Sequence, residues 1–155
     1  MQLPLSANIA GLARDGAAVV VATRDSGLRP CIARAWGLEI LAIDDVIRLC
    51  VEAPSHSRTR ENLRHGAEIA TTLSRPSTYH SAQVKGVVAH LREPQEADLV
   101  LADAHHRAFA EEAQRVGLTA RHAARAFDRG ALLSVSVTVH EAYDQTPGAA
   151  AGGPL

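Results

Sequence analysis

The sequence predicts an α+β domain, mainly β: a six-stranded antiparallel barrel with flanking helices. Two observations carry this. Short β-branched or apolar runs are separated by turn-forming residues, and such hairpin-like connections favour antiparallel pairing. Aromatic residues make up only 3% of the chain, and strands of small apolar residues suit a compact barrel whose edges are closed.

Ala17 to Thr23 is the first β-branched run, and Arg24-Asp25-Ser26-Gly27 reads as the hairpin turn that ends it. A second strand follows over about Pro30 to Glu39 and a third over Val46 to Glu52, with Gly37 and the pair Asp44-Asp45 marking the break between them. From Ser57 the pattern turns helical for two turns, through His65, and Gly66 is a natural helix stop. Glu68 to Leu73 is strand-like, Ser74 to Ser81 reads as a loop, and Gln83 to Leu91 is the fifth strand. The period then changes. Gln95 to Val116 places Ala102, His105 or His106, Phe109, Ala113 and Val116 on one helical face, with Glu111 and Glu112 outside. Of the two histidines, one falls at the helix–barrel seam and one in water, because adjacent residues do not share a helix face.

Gly117 closes this helix, and Thr119 caps a second that runs to about Phe127. Leu133, Val135, Val137 and Val139 then alternate with Ser134, Ser136, Thr138 and His140, the clearest period-two signal in the chain. Residues 1–144 read as one domain, and 145–155, rich in Gly, Ala and Pro, as an extended or mobile C-terminal arm.

Composition narrows the function classes. Sixteen Lys plus Arg against seventeen Asp plus Glu give a net charge of −1, which offers no electrostatic case for a nucleic acid or membrane-surface partner. No apolar run approaches the roughly 20 residues of a membrane helix, and Met1 to Leu12 lacks the pattern of a secretory signal. The two cysteines, Cys31 and Cys50, sit in apolar runs and read as reduced thiols of a cytoplasmic protein. No His, Cys, Asp or Glu cluster has metal spacing, so no metal site is expected. Nucleophile-elbow, phosphate-loop and dinucleotide fingerprints are absent.

Two local features point to an anionic ligand. Ser55-His56-Ser57-Arg58-Thr59-Arg60 lies between a strand and a helix. Ser57 or Ser55 can cap that helix, which puts Arg58 and Arg60 in its first turn. Cations there oppose the helix dipole, and a phosphate held by free N–H groups and an arginine removes the conflict. An exposed turn with solvated arginines fits the same residues. The second feature is Gln83-Val84-Lys85-Gly86, in which Gln83 and Lys85 share one face of a strand and either serve an anion or face solvent.

Together these pieces resemble the flavin-binding split barrels of the pyridoxamine 5′-phosphate oxidase type. The markers are the Val19-Val20-Val21-Ala22-Thr23 run, the glycine turn followed by Pro30 and an Arg-bearing strand, Ser57-Arg58 opening a helix, and Gln83-Val84 before Gly86. Tyr143-Asp144-Gln145-Thr146-Pro147-Gly148 is similar to the tail of a small branch of that superfamily. The resemblance implies a split β-barrel homodimer with FMN between two protomers. Ser57 and Arg58 would hold the phosphate, with Thr59 where the family often has Lys. Gln83, with Lys85 beside it, would meet the ring or ribityl chain. The strand Ile32 to Gly37, including Arg34 and Trp36, would line the cofactor. Arg34 stands four residues after Pro30, where the family usually has three, which turns it to the other face unless a bulge intervenes.

The Trp- and Arg-rich C-terminal signature of the true oxidase is missing, which points away from pyridoxamine phosphate oxidation itself. The implied function is a flavin-dependent oxidoreductase acting on a small molecule, with no catalytic acid or base implied. The alternative is a non-catalytic module that binds flavin, haem or another small anion for sensing or storage.

Overall fold

The structure, a computed structural model, describes residues 7–41 and 45–155. Residues 1–6 of the 1–144 domain, and Asp44 of the expected Asp44-Asp45 break, lie outside it. The strands are β1 (Ala18–Arg24), β2 (Pro30–Leu41), β3 (Val46–Glu52), β4 (Glu68–Ser74), β5 (Ser81–Arg92) and β6 (Leu132–Asp144). They close into one barrel in the order β1-β2-β3-β6-β5-β4, with β4 returning to β1 and every pairing antiparallel. Alternation fills the interior with Val19, Val21, Leu49, Leu73, Val84, Val135 and Val137, each at most 2% exposed.

Among the described residues, four α-helices flank the barrel: α1 (Ala7–Arg14), α2 (Arg58–Asn62), α3 (Glu96–Arg115) and α4 (Ala120–Ala124). The sequence reading has no counterpart of α1, which adds Ile9, Leu12 and Ala13 to the barrel core. A second core lies outside the barrel wall, where Ala102, Phe109 and Ala113 of α3 cover Trp36 and Cys50.

Several expectations need correction. Gly37 is not a break but lies inside β2, where the pairing register with β3 shifts between Trp36 and Glu39. Its φ is +64°, and a Cβ there would come within 2.7 Å of the Ala102 backbone, so glycine lets α3 approach the wall. The helix at Ser57 runs for five residues rather than two turns, because Leu63 leaves it in extended geometry to bury its side chain in the core. Glu112, expected outside, is 2% exposed, and Val116, expected on the buried face, is 49% exposed. Glu112 stands three residues beyond Phe109 on the covered flank, where Arg75 neutralises it at 3.0 Å. Val116 lies past the last helical turn. The 145–155 tail turns back along β6: Gly152 N–H donates to Asp144 C=O, Asp144 N–H to Gly153 C=O and Leu155 N–H to Ala142 C=O.

Candidate functional site

The helix α3 covers the outer faces of β2 and β3, while Arg24 of β1, Glu68 of β4, Lys85 of β5 and His140 and Glu141 of β6 stand exposed on the rest of the outer wall. Strand registers align the outward side chains there into rows. One row runs Arg34, Val20, Thr72, Gln83, Tyr143 across β2, β1, β4, β5 and β6. The next runs Ile32, Ala22, Ala70, Lys85, Glu141. A groove of about 430 Å³ follows the second row toward Arg24, Pro30 and Glu68 at one barrel end. Its floor is made of small residues, Ala22 and Ala70, so a flat group can approach the strands closely.

The polar groups of this face fall into two kinds. Some are paired. Arg24 donates through Nε to Glu68 at 2.8 Å, Lys85 Nζ lies 4.0 Å from Glu141, and Gln83 Nε2 donates to Thr72 Oγ1 at 3.0 Å. Arg34 is exposed and has no ion-pair partner among the described residues; its guanidinium lies 5.8 Å from the centre of the Phe109 ring. The groove's own charges, Arg24 and Lys85 against Glu68 and Glu141, cancel.

The registers thus set Arg34 and Gln83 in one row and Lys85 in the next, with Gln83 and Lys85 on the same side of β5 as alternation requires and Arg34 at the α3 edge, over Phe109. No bulge separates Pro30 from Arg34, since the β1–β2 register is continuous from Arg24↔Pro30 to Val19↔Ala35. Arg34 therefore faces outward, and Ala33, three after the proline, packs against the barrel core.

Ser57, Arg58 and Thr59 belong to the barrel end rather than the rows. Ser57 Oγ caps α2 by accepting from Arg60 N–H at 3.1 Å. Thr59 is buried, with Oγ1 3.4 Å from Cys31 Sγ, and Asn62 donates to Thr23 Oγ1 at 3.1 Å, which docks α2 under β1 and β2. Arg60 is tied to Glu93 at 3.1 Å. Arg58, in the first turn of α2, is left exposed, with no ion-pair partner among the described residues.

Trp36 goes elsewhere. It is 2% exposed and sits in the seam, within 5.1–5.5 Å of the rings of His105, His106, Phe109 and Phe127, with Nε1 donating to Glu52 at 2.7 Å. It has no open edge for a ligand. His106, expected to share out with His105 as one in the seam and one in water, also joins this cluster, stacked on Phe127 at 4.7 Å. Tyr143 and Glu141, absent from the sequence reading of the site, stand on the open face beside Gln83 and Lys85. Only the β5–β6 register reveals them: strict alternation from Val139 would turn residues 141 and 143 into the barrel, and the register shift at His140, between the pairs Gly86↔Val139 and Lys85↔Glu141, turns them out.

No protein-family model matches the sequence, and no curated protein matches it. Solved structures match in fold. HupZ of Group A Streptococcus aligns with a TM-score of 0.55 at 15% identity, over 96% of this chain and 99% of that one. A candidate pyridoxamine 5′-phosphate oxidase from Lactobacillus delbrueckii aligns at 0.55 and 13% identity, over 90% and 93%. An F420 reductase aligns at 0.54 and 16% identity, over 85% and 93%. At these identities the likeness establishes the shared fold, and the resemblance to the pyridoxamine 5′-phosphate oxidase type holds at that level.

Proposed function

We propose that this chain is a flavin-dependent oxidoreductase that binds FMN on the open face of the barrel, between the two protomers of a homodimer, and acts on a small molecule. The observation that carries the reading is the cross-strand row Arg34–Val20–Thr72–Gln83 beside the Ala22–Ala70 floor. The donor set suits such a group. Arg34 and Arg58, without an ion-pair partner among the described residues, offer guanidiniums whose forked N–H groups match phosphate oxygens. The hydroxyl and amide of Thr72 and Gln83 suit a polyol chain or ring edge, and the small-residue floor suits a flat ring. The groove's cancelled charge suits FMN, with one phosphate, better than a cofactor carrying several extra carboxylates. When bound, the flavin supplies the hydride chemistry, and the protein binds and orients it. A candidate pyridoxamine 5′-phosphate oxidase and an F420 reductase share the fold, which supports this class of function by analogy.

The test is spectroscopic. Purified protein titrated with FMN should turn yellow with saturable fluorescence quenching, the bound flavin should be bleached by a nicotinamide donor and recover in air, and sedimentation should show a dimer. A bound flavin that no donor reduces would favour the non-catalytic binding module instead. Absence of FMN binding at micromolar concentration, or a stable monomer, would overturn the proposal.

A further inference from the structure

We infer that Tyr143 is a further ligand-contact residue of this face, its ring forming the wall against which a planar ligand ring rests, with Lys85 as the cation at that ring's edge. The inference rests on the flavin reading above. The chain has only five aromatic residues of the Phe, Trp and Tyr types. Trp36, Phe109 and Phe127 are in the α3 seam, and Tyr79 lies in the β4–β5 loop. Of the five, Tyr143 alone stands on the outer barrel wall that α3 leaves uncovered, at the end of the row that begins at Arg34. Four strand spacings separate the two, roughly 19 Å along the curved sheet. That places a cation for a phosphate at one end and an aromatic ring at the other.

Tyr143 is also held in position before any ligand arrives. Its hydroxyl donates to Glu141 at 2.6 Å. Its strand is paired with β5 through Gln83 on one side and bridged to Pro154 of the returning tail on the other. A fixed ring loses little freedom when a planar group stacks on it, which favours binding. Lys85 Nζ lies 5.0 Å from the centre of the Tyr143 ring and 4.0 Å from Glu141. Both contacts are at the surface and weak. Lys85 would therefore be able to leave this seat for the edge of a bound flavin ring, where its positive charge would favour the reduced, anionic form.

The experiment compares full-length wild type with Tyr143→Ala, Tyr143→Phe and Lys85→Met by FMN and riboflavin titration and by the midpoint potential of the bound flavin. Tyr143→Ala should weaken both ligands equally, by roughly three- to tenfold, the range expected for one aromatic pair. Tyr143→Phe, which keeps the ring, should bind within about twofold of wild type, and Lys85→Met should lower the midpoint potential. Phe also separates ring loss from misfolding, since it preserves the packing if Ala does not. Wild type that binds FMN, with Tyr143→Ala or Lys85→Met unchanged in these readouts, would overturn the inference and leave the flavin reading standing. Wild type that binds neither ligand would overturn both.

Discussion

The backbone N–H of Gly37 donates to Nδ1 of His105 across 3.0 Å, joining the bulge of β2 to the middle of α3. Nε2 then carries the ring hydrogen and donates to Ala17 C=O at 2.8 Å, so the neutral imidazole has one tautomer and bridges β2, α3 and the residue before β1. A second proton on Nδ1 would remove the acceptor that Gly37 uses.

A pH dependence follows. Burial lowers the His105 pKa from its ordinary 6.5, with Ala17 C=O acting in the opposite direction and His106 adding to the lowering. Below pH 6.5 the unfolded chain therefore binds a proton that the folded chain refuses, and stability rises with pH across that window. Denaturant unfolding at about pH 7.5 and about pH 5.5 should show wild type losing stability on acidification, and His105→Gln losing less. An equal loss in both would show that His105 does not titrate on unfolding.

The opposite sign of shift governs a lower window. Glu112 is held at about 2, against an ordinary 4.5, chiefly by the Arg75 hydrogen bond, with burial opposing and Ser77 assisting. Its stabilisation is complete above pH 4.5 and is lost as pH falls toward 2. Arg75→Met leaves a buried carboxylate with Arg115 at 2.8 Å and Ser77 Oγ at 2.5 Å. These remaining partners keep the cost near the lower end of about 3–5 kcal/mol. Unfolding midpoints for the variant measure it, and a loss below about 1 kcal/mol would place the pair in the weak surface class.

Glu112 also shows which features were legible in the sequence. The strands were readable because each needs only its own alternation, as in Leu133 to Val139. The pairing of Glu112 with Arg75 joins residues 37 apart in the chain, and no local period announces it. The site behaves likewise. Gln83 and Lys85 share a face by period alone, but the row from Arg34 to Tyr143 depends on four registers between strands distant in sequence. Trp36 was misplaced because the close approach of α3 at Gly37 buries the outward side of β2 just beyond Arg34.

Phe109 tests the seam between α3 and the wall. It is 6% exposed, 5.5 Å from the Trp36 ring and beneath the Arg34 guanidinium. Phe109→Ala should cost about 3–5 kcal/mol by cavity formation. The measurement is equilibrium unfolding followed by the single tryptophan, whose emission should shift to the red in the native baseline as the seam opens. A loss below about 1 kcal/mol would mean that α3 packs by a different face.

Arg58 gives the sharpest test of the ligand. Arg60, its neighbour two residues on, is bound to Glu93 and to Ala53 C=O, and Ser57 is committed to the α2 cap. Arg58 has no such duty among the described residues, so Arg58→Ala should leave unfolding midpoints nearly unchanged, as surface substitutions do. If Arg58 meets a phosphate, the lost charge-assisted hydrogen bonds are worth about 1.5–3 kcal/mol. At 1.4 kcal/mol per decade, FMN should bind roughly ten- to hundredfold more weakly. Riboflavin lacks the phosphate and should be unaffected. Thr59, buried against Cys31, has no charge to compensate for the loss. Parallel titrations of wild type, Arg58→Ala and Arg34→Ala with both ligands decide between the two free guanidiniums. A selective FMN loss in Arg34→Ala alone would seat the phosphate on the β2 end of the row. An equal loss for FMN and riboflavin in Arg58→Ala would remove Arg58 from the phosphate site.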